Sequence, residues 1–183
     1  MTRIISGRLR GKRLHAPRTL DARPTTDFAK ESLFNILENQ YHWDETTALD
    51  LFTGTGNLAL ELASRGTQAV VAVDIAQAST RYIQRTAEAL GLDKQVTVVQ
   101  REAVAFLQRD FRQYELILAD PPYDYPDYAT LVETIYGQSL LSPDGLLVVE
   151  HHERTSLDQL PHFQRSRKYG KVRFSFFSAT SLP

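Results

Sequence analysis

Three short motifs carry the side chains best suited to chemistry, and each follows an apolar run. "LDLFTGTG" places Asp50 before a turn that contains Gly54 and Gly56, "VVAVDI" contains Asp74, and "LADPPY" contains Asp120. Glycines let the backbone approach a ligand where a Cβ would collide. An acidic residue after the second strand of a doubly wound sheet can accept hydrogen bonds from ribose hydroxyls. The first two motifs therefore predict a ribose-bearing cofactor.

Charge distinguishes between two classes of cofactor. With Ala59 the turn also fits the G-x-G-x-x-G/A pattern of nicotinamide and flavin enzymes, so a redox cofactor stays an alternative. A pyrophosphate is anionic, however, and Asp50 would repel it. S-adenosylmethionine carries a sulfonium and an ammonium, which suit a site rimmed by Asp50, Asp74, Glu102 and Asp120. We therefore favour S-adenosylmethionine as the cofactor. We expect no metal, because adjacent residues of "EHHE" (Glu150 to Glu153) would point to opposite faces of a strand and could not converge on one ion.

The stretch "LADPPY" predicts what receives the methyl group. Asp120 ends an apolar run, and strand ends at the switch point of such a sheet face the ligand. Asp120 and the Pro121 carbonyl can accept the two hydrogens of a planar amine, while Tyr123 can stack on the attached ring. Neither Pro121 nor Pro122 has an N–H that competes for that amine. The loop therefore predicts an exocyclic amine of a base as the acceptor.

The elements that position these motifs follow from the alternation of short apolar runs with helix-compatible segments. The predicted strands cover residues 47 to 52, 69 to 74, 96 to 100, 115 to 120 and 145 to 151. The predicted helices cover residues 57 to 65, 76 to 90, 102 to 110 and 127 to 140. This alternation indicates a parallel sheet with helices on both faces. Gly170, between two alternating runs, predicts a hairpin and hence an antiparallel edge.

The N-terminal 40 residues predict a small basic extension. Alternation around Gly7 and Gly11 indicates a hairpin, and a helix capped by Thr26 or Asp27 follows. Its predicted apolar face comprises Phe28, Leu33, Phe34 and Leu37, with Lys30 and Glu31 outside that face. Residues 1–40 carry a formal charge of +4, residues 41–150 one of -9, and residues 151–183 one of +4. We therefore expect a polyanion-facing extension at 1–40 and one compact domain at 41–183.

Composition limits the remaining classes of protein. The 183 residues are 42% hydrophobic and 23% charged, which is ordinary for a globular domain with one core. No apolar run reaches the roughly 20 residues of a membrane span, and the N-terminus lacks the apolar middle of a signal peptide. The absence of cysteine excludes disulfides and thiolate ligands. We expect a cytoplasmic protein that does not associate with membranes.

The three motifs, in this order, resemble class I S-adenosylmethionine-dependent methyltransferases that modify exocyclic amines. The flanking stretches "RIISGRLRGKRL", "RPTTDFAKESLFNIL", "ELASRG" and "RKYGKVRFSFF" further resemble the RsmD family of 16S rRNA guanine-N2 methyltransferases. The resemblance implies a Rossmann-like α/β fold with a mostly parallel, seven-stranded sheet, an antiparallel edge and an N-terminal extension. It implies catalytic roles for Asp120, Pro121, Pro122 and Tyr123, and a cofactor site formed by Asp50, Phe52, Gly54, Gly56, Asp74, Ile75, Glu102 and Ala103. It also implies RNA contacts from Arg3, Arg8, Arg10, Lys12, Arg13 and Arg23.

The implied partner is 16S rRNA or an assembly intermediate of the small ribosomal subunit, with S-adenosylhomocysteine as the second product. The sequence does not define the oligomeric state, and we favour a monomer. Two alternatives stay open: an adenine-N6 methyltransferase acting on DNA or RNA, and a catalytically silent RNA-binding module. The chain departs from the family pattern at Phe28, Lys30, Thr86 and Glu102. The family pattern has arginine at positions 28 and 30, and we expect the loss of an arginine to weaken a phosphate contact.

Overall fold

The computed structural model describes residues 2–17, 20 and 26–178. Two short strands, β1 (Thr2–Arg3) and β2 (Arg13–Leu14), pair antiparallel at the N-terminus. Within residues 26–178, seven further strands form one sheet: β3 (Thr47–Leu51), β4 (Ala69–Asp74), β5 (Val96–Gln100), β6 (Tyr114–Ala119), β7 (Leu141–His152), β8 (Phe163–Tyr169) and β9 (Val172–Ser178). Their order is β5-β4-β3-β6-β7-β9-β8.

The first five strands of this order are parallel, and β9 runs antiparallel to both β7 and β8. The helices are α1 (Asp27–Leu37), α2 (Asn57–Arg65), α3 (Gln77–Ala89), α4 (Ala103–Leu107) and α5 (Tyr128–Gly137). One hydrophobic cluster joins α1, α2 and α3 to the sheet, and a second joins α4 and α5 to it. The predicted mixed sheet with helices on both faces is therefore confirmed. No helix of the described residues has the length and apolarity that crossing a membrane requires.

The strand order explains where a ligand can bind. Strand β3 pairs with β4 on one side and with β6 on the other. The sheet therefore extends in one direction from β3 to β5 and in the opposite direction from β6 to β7, and the order of the strands reverses between β3 and β6. The connections that follow β3 and β6 lead to helices on opposite faces of the sheet, α2 and α5, and this leaves a crevice at the switch point. The apolar runs that predicted these strands are buried on both faces, as in other parallel sheets.

Helix α4 is shorter than the predicted segment of 102 to 110. Asp110 is buried, and its carboxylate accepts hydrogen bonds from Tyr114 Oη at 2.5 Å and Arg112 Nε at 2.7 Å. Such local side-chain bonds hold the chain in a turn that competes with the helix. The periodicity of the apolar residues alone does not reveal this competition.

The N-terminal hairpin is packed against the C-terminal half of α2. The Glu61 carboxylate accepts hydrogen bonds from the backbone N–H groups of Ile5 and Ser6 at 2.8 and 3.0 Å. Arg8 N donates to Ser64 O at 2.8 Å, and Ser64 Oγ donates to Ser6 O at 2.7 Å. The stretch "ELASRG" thus supplies the carboxylate, hydroxyl and carbonyl that hold the extension.

The predicted apolar face of α1 is wrong at two positions. Phe28 is 68% exposed, whereas Lys30 is fully buried. Lys30 Nζ donates to Arg3 O at 2.6 Å and lies 3.2 Å from Glu61 Oε2. Burial of a lysine is tolerated when its charge is paired and hydrogen-bonded, and periodicity does not register that partner. The ammonium of Lys30 is bonded within the protein, whereas position 28 is exposed, so the weaker phosphate contact stays a prediction that concerns Phe28 more directly than Lys30. The predicted Thr26 cap is confirmed by Thr26 Oγ1, which accepts from Ala29 N at 3.2 Å.

Candidate active site

A cavity of about 470 Å³ opens at the carboxyl ends of β3, β4 and β6. Ten residues singled out from the sequence line it: Asp50, Phe52, Gly54, Asp74, Ile75, Ala103, Asp120, Pro121, Pro122 and Tyr123. Side chains that are 70 residues apart in the sequence therefore share one site. This clustering follows from the parallel strands, whose carboxyl ends all lie at one edge of the sheet.

The glycine turn between β3 and α2 forms the floor of the cavity. Gly54 N donates a hydrogen bond to Asp74 Oδ2 at 2.8 Å, which links the end of β3 to the end of β4. Gly56 has φ of 72°, and a Cβ on it would lie 2.9 Å from Ile83 Cγ1 of α3. Gly56 does not line the cavity, so its predicted place in the cofactor site is indirect: it allows α2 to start and to pack closely on α3.

Asp50 is a buried carboxylate with one committed and one uncommitted oxygen. Its Oδ2 accepts hydrogen bonds from Thr53 Oγ1 at 2.6 Å and from Ala59 N at 3.0 Å. Its Oδ1 is buried and has no partner among the described residues. Burial raises the pKa of Asp50 to about 7, although the hydrogen bonds from Thr53 and Ala59 oppose the rise. A cation placed against Oδ1 would stabilise the charged form.

Asp74 ends β4 with both carboxylate oxygens already oriented. Oδ2 accepts from Gly54 N, and Oδ1 accepts from Ala76 N at 2.8 Å. Each carboxylate oxygen retains a further lone pair for a ligand hydroxyl. The neighbouring Ile75 is 67% exposed at the cavity and offers an apolar surface to a flat ring.

The loop after β6 forms the opposite wall. Asp120 N donates to Leu51 O at 3.3 Å, which ties the start of the loop to β3. Tyr123 is 42% exposed, and its ring packs edge-on against His152 with the centroids 5.4 Å apart. Tyr125 is instead half-buried between Phe52 and Tyr128, with ring centroids 5.2 and 5.3 Å away. Of the loop aromatics, Tyr123 is thus the one that lines the cavity.

Glu102 does not line the cavity, although its neighbours Arg101 and Ala103 do. The Glu102 carboxylate caps α4, since it accepts from Val104 N at 3.0 Å and Ala105 N at 2.7 Å. The cap leaves the side chain exposed at the start of the helix. Of the two residues predicted to contact the adenine, Glu102 and Ala103, only Ala103 lines the cavity.

The polar residues of the cavity wall to which the sequence interpretation gave no catalytic or cofactor role include Asn57 and Glu150. Both are more than nine-tenths buried. Glu150 lies near the end of β7, the parallel neighbour of β6, so the strand-end rule that identified Asp120 could have identified it. Asn57 is the first residue of α2 after the glycine turn, a position that the motif leaves unspecified.

The basic residues of the extension fall into two groups. Arg3 lies 3.8 Å from Asp27, and Arg8 Nη2 donates to Gly91 O at 2.6 Å, so both are engaged by the protein itself. Arg10, Lys12 and Arg13 are exposed. Arg23 lies outside the described residues. All five described members of the predicted RNA-binding set are exposed, but only the cations of Arg10, Lys12 and Arg13 have no side-chain partner within the described residues.

Comparisons with known proteins agree with this geometry. The model of the family described as "Conserved hypothetical protein 95" matches residues 2–178. The chain is 32% identical over 160 residues to the putative rRNA methyltransferase YlbH of Bacillus subtilis (strain 168), and the match covers 86% of each chain. It is 26% identical over 178 residues to ribosomal RNA small subunit methyltransferase D of Escherichia coli (strain K12), covering 96% of this chain and 88% of the relative.

The chain belongs to this family, the RsmD family of methyltransferases. A solved structure, the putative methyltransferase yhhF from Escherichia coli, superposes with a TM-score of 0.84 at 25% identity and covers 98% of each chain. The RsmD-family resemblance inferred from the motifs is therefore confirmed, and so is the class I methyltransferase fold.

The cofactor of an RsmD-family methyltransferase is S-adenosylmethionine, and the cavity fits it. The uncommitted oxygen of Asp50 suits an ammonium or sulfonium, and Asp74 suits a ribose. The glycine turn lines the floor of the cavity with backbone atoms, which leaves room for the cofactor where larger side chains would occupy the space. Among the described residues there is no group of three or more histidines and carboxylates that could hold a metal ion.

Proposed function

We propose that this methyltransferase transfers a methyl group to the N2 amine of a guanine in 16S rRNA. The observation that carries the proposal is the shared cavity, in which the Asp120–Tyr123 loop stands opposite the Asp50 and Asp74 carboxylates. The curated relatives named as small-subunit rRNA methyltransferases support the choice of RNA. The N2 amine is proposed from the family resemblance, because the loop chemistry itself specifies only an amine on a planar ring.

The residues of the loop would hold and activate the amine. When bound, S-adenosylmethionine supplies an electrophilic methyl group on its sulfonium. The lone pair of an exocyclic amine is delocalised into the ring, so the amine is a poor nucleophile. Acceptance of its two hydrogens by Asp120 and by the Pro121 carbonyl helps to localise that lone pair. In the transfer, S-adenosylhomocysteine would leave as the C–S bond breaks and the C–N bond forms, the carboxylate of Asp120 would stabilise the positive charge that develops on nitrogen, and the surplus amine proton would pass to solvent.

The target base must leave its helix to reach the cavity. A ring stacked in a duplex does not present its amine in line with a buried sulfonium, so we propose an unpaired or flipped guanine. The exposed ring of Tyr123 supplies the stacking surface for it. The exposed cations Arg10, Lys12 and Arg13 then contact the phosphate backbone outside the cavity, consistent with an RNA-facing extension at residues 1–40.

The test is transfer of labelled methyl groups to small ribosomal subunits assembled from unmodified rRNA, followed by nucleoside digestion. Wild type should yield N2-methylguanosine. Asp120→Ala should lose turnover while it retains cofactor affinity, and Asp124→Ala, an exposed change in the same loop, should stay active. Label on adenine would replace the guanine proposal with the adenine-N6 alternative. Cofactor binding without transfer to any nucleic acid would favour the silent binding module.

A further inference from the structure

Asn57 has a polar atom that the protein leaves without a partner. The residue is 6% exposed and lines the cavity. Its Oδ1 accepts a hydrogen bond from Lys30 Nζ at 2.8 Å. Its Nδ2 is buried and has no hydrogen-bond partner among the described residues. Because an unsatisfied buried donor is costly, a group that binds in the cavity is the natural partner.

Lys30 fixes which end of the amide is available. An ammonium group has three donors and no acceptor, so only the oxygen of the amide can face it. Lys30 Nζ is itself held by Arg3 O at 2.6 Å and by the Glu61 carboxylate at 3.2 Å. Rotation of the amide by half a turn would set Nδ2 against this cation. The side chain of Asn57 is therefore locked with its donor presented away from Lys30.

The surroundings of Asn57 indicate the charge of the missing partner. Asn57 is the first residue of α2, a nine-residue helix, and unpaired amides at a helix N-terminus favour an anion. Asp50 Oδ2 accepts from Ala59 N in the same turn, and its uncommitted Oδ1 suits a cation. This end of the cavity thus presents an uncommitted donor and an uncommitted acceptor. That pair is complementary to the carboxylate and ammonium of an amino acid.

We propose that Asn57 donates a hydrogen bond from Nδ2 to the carboxylate of the methionine moiety of S-adenosylmethionine, and that Lys30 is the positioning residue that holds the amide for it. The proposal rests on the cofactor of the family and not on the identity of the methylated base. It gives a specific role to Lys30, where the family pattern has arginine. It also connects the cofactor to the N-terminal extension, because Lys30 bonds to the backbone of Arg3.

The test compares two ligands by isothermal titration calorimetry. S-adenosylmethionine carries the carboxylate, and decarboxylated S-adenosylmethionine keeps the sulfonium and amine without it. For Asn57→Ala we expect an affinity loss of about 10-fold or more for the first ligand, the usual effect of deleting a hydrogen bond to a charged group, and less than about 2-fold for the second. Asn57→Asp keeps the size of the side chain but repels a carboxylate, so it should lose at least as much for the first ligand only.

The ratio of the affinity for S-adenosylmethionine to the affinity for decarboxylated S-adenosylmethionine also tests the role of Lys30. Lys30→Met should reduce that ratio in the wild-type background and leave it unchanged in the Asn57→Ala background. If Lys30→Met does not fold, Asn57→Asp decides the proposal alone. Equal losses for both ligands in Asn57→Ala, no loss, or a loss confined to RNA affinity would each overturn it. Failure of guanine methylation leaves these binding ratios unaffected, so the two proposals fail separately.

Discussion

The substitution Gly7→Ala tests how the basic extension is held on the methyltransferase domain. Gly7 has φ of +78°, and a Cβ built on it would lie 1.9 Å from Ser64 O and 2.6 Å from Arg65 N. Both neighbours are backbone atoms of α2, which cannot rotate away as a side chain could. The hairpin must therefore move off the helix by more than about 1 Å, since real Cβ contacts lie beyond 3.0 Å.

The magnitude follows from the bonds that this movement breaks. The positive φ costs an alanine about 1 kcal/mol. Ser64 makes three hydrogen bonds to the hairpin, to Ser6, Arg8 and Leu9, and each contributes about 1 kcal/mol net. The total is about 4 kcal/mol, which corresponds to a decrease in Tm of about 8 to 16 °C for a domain of this size.

Gly11→Ala is the matched control for this change. Gly11 has φ of +84°, and an added Cβ meets nothing within 4 Å. It should therefore lose only the conformational part, about 1 kcal/mol, or about 2 to 4 °C in Tm. Both variants are measured by thermal and urea denaturation, together with the KM for small-subunit RNA. Equal destabilisation by the two substitutions would refute the close contact between Gly7 and α2.

Three further predictions concern the cavity and its rim. Burial raises the pKa of Asp50 to about 7, so between about pH 4 and 7 the folded protein holds a proton that the unfolded chain has lost. The ligand-free protein therefore loses stability as the pH rises through this range, and Asp50→Asn should raise its Tm at pH 8. Because a bound cation needs the ionised carboxylate, S-adenosylhomocysteine affinity should fall about 10-fold per pH unit below 7 in wild type by titration calorimetry, and Asp50→Asn should abolish this slope. Neutralising Arg10, Lys12 and Arg13 should raise the RNA KM and reduce the slope of log affinity against log salt by about 2, and an unchanged slope removes these residues from the interface. Tyr123→Phe should keep most of kcat in the methyl-transfer assay, whereas Tyr123→Ala should lose most of it, since stacking requires only the ring.

The course of the main sheet could be predicted from the sequence because parallel strands are continuous in apolar residues. The runs ending at Leu51, Asp74 and Ala119 are buried on both faces, so their pattern carries the information directly. The cavity then follows from topology, because strand ends at a switch point converge whatever the loops contain. This explains why ten of the twelve residues predicted as catalytic or cofactor-binding line one cavity.

The remaining features depend on partners that are distant in the sequence. Lys30 is buried because the carboxylate of Glu61, from another helix, meets it there, and no local pattern on α1 encodes this pair. Glu102 is turned to the start of α4 by two backbone N–H groups, although the family resemblance implied a cofactor contact. Periodicity measures the average polarity of a face, whereas a single buried charge depends on one specific neighbour.

Glu61 joins the extension to the cofactor site through a chain of charges. Its two oxygens accept hydrogen bonds from Ile5, Ser6 and Arg65, and Lys30 lies beside them. Burial lowers the pKa of Lys30, and the Glu61 carboxylate opposes this most strongly, so the buried ammonium depends on Glu61 to stay charged. An ammonium in turn is what forces the oxygen of the Asn57 amide away from the cavity. The helix that begins at the glycine turn therefore holds the N-terminal hairpin at its far end, and under the proposed role of Asn57 the "ELASRG" stretch would support cofactor binding from a position outside the cavity.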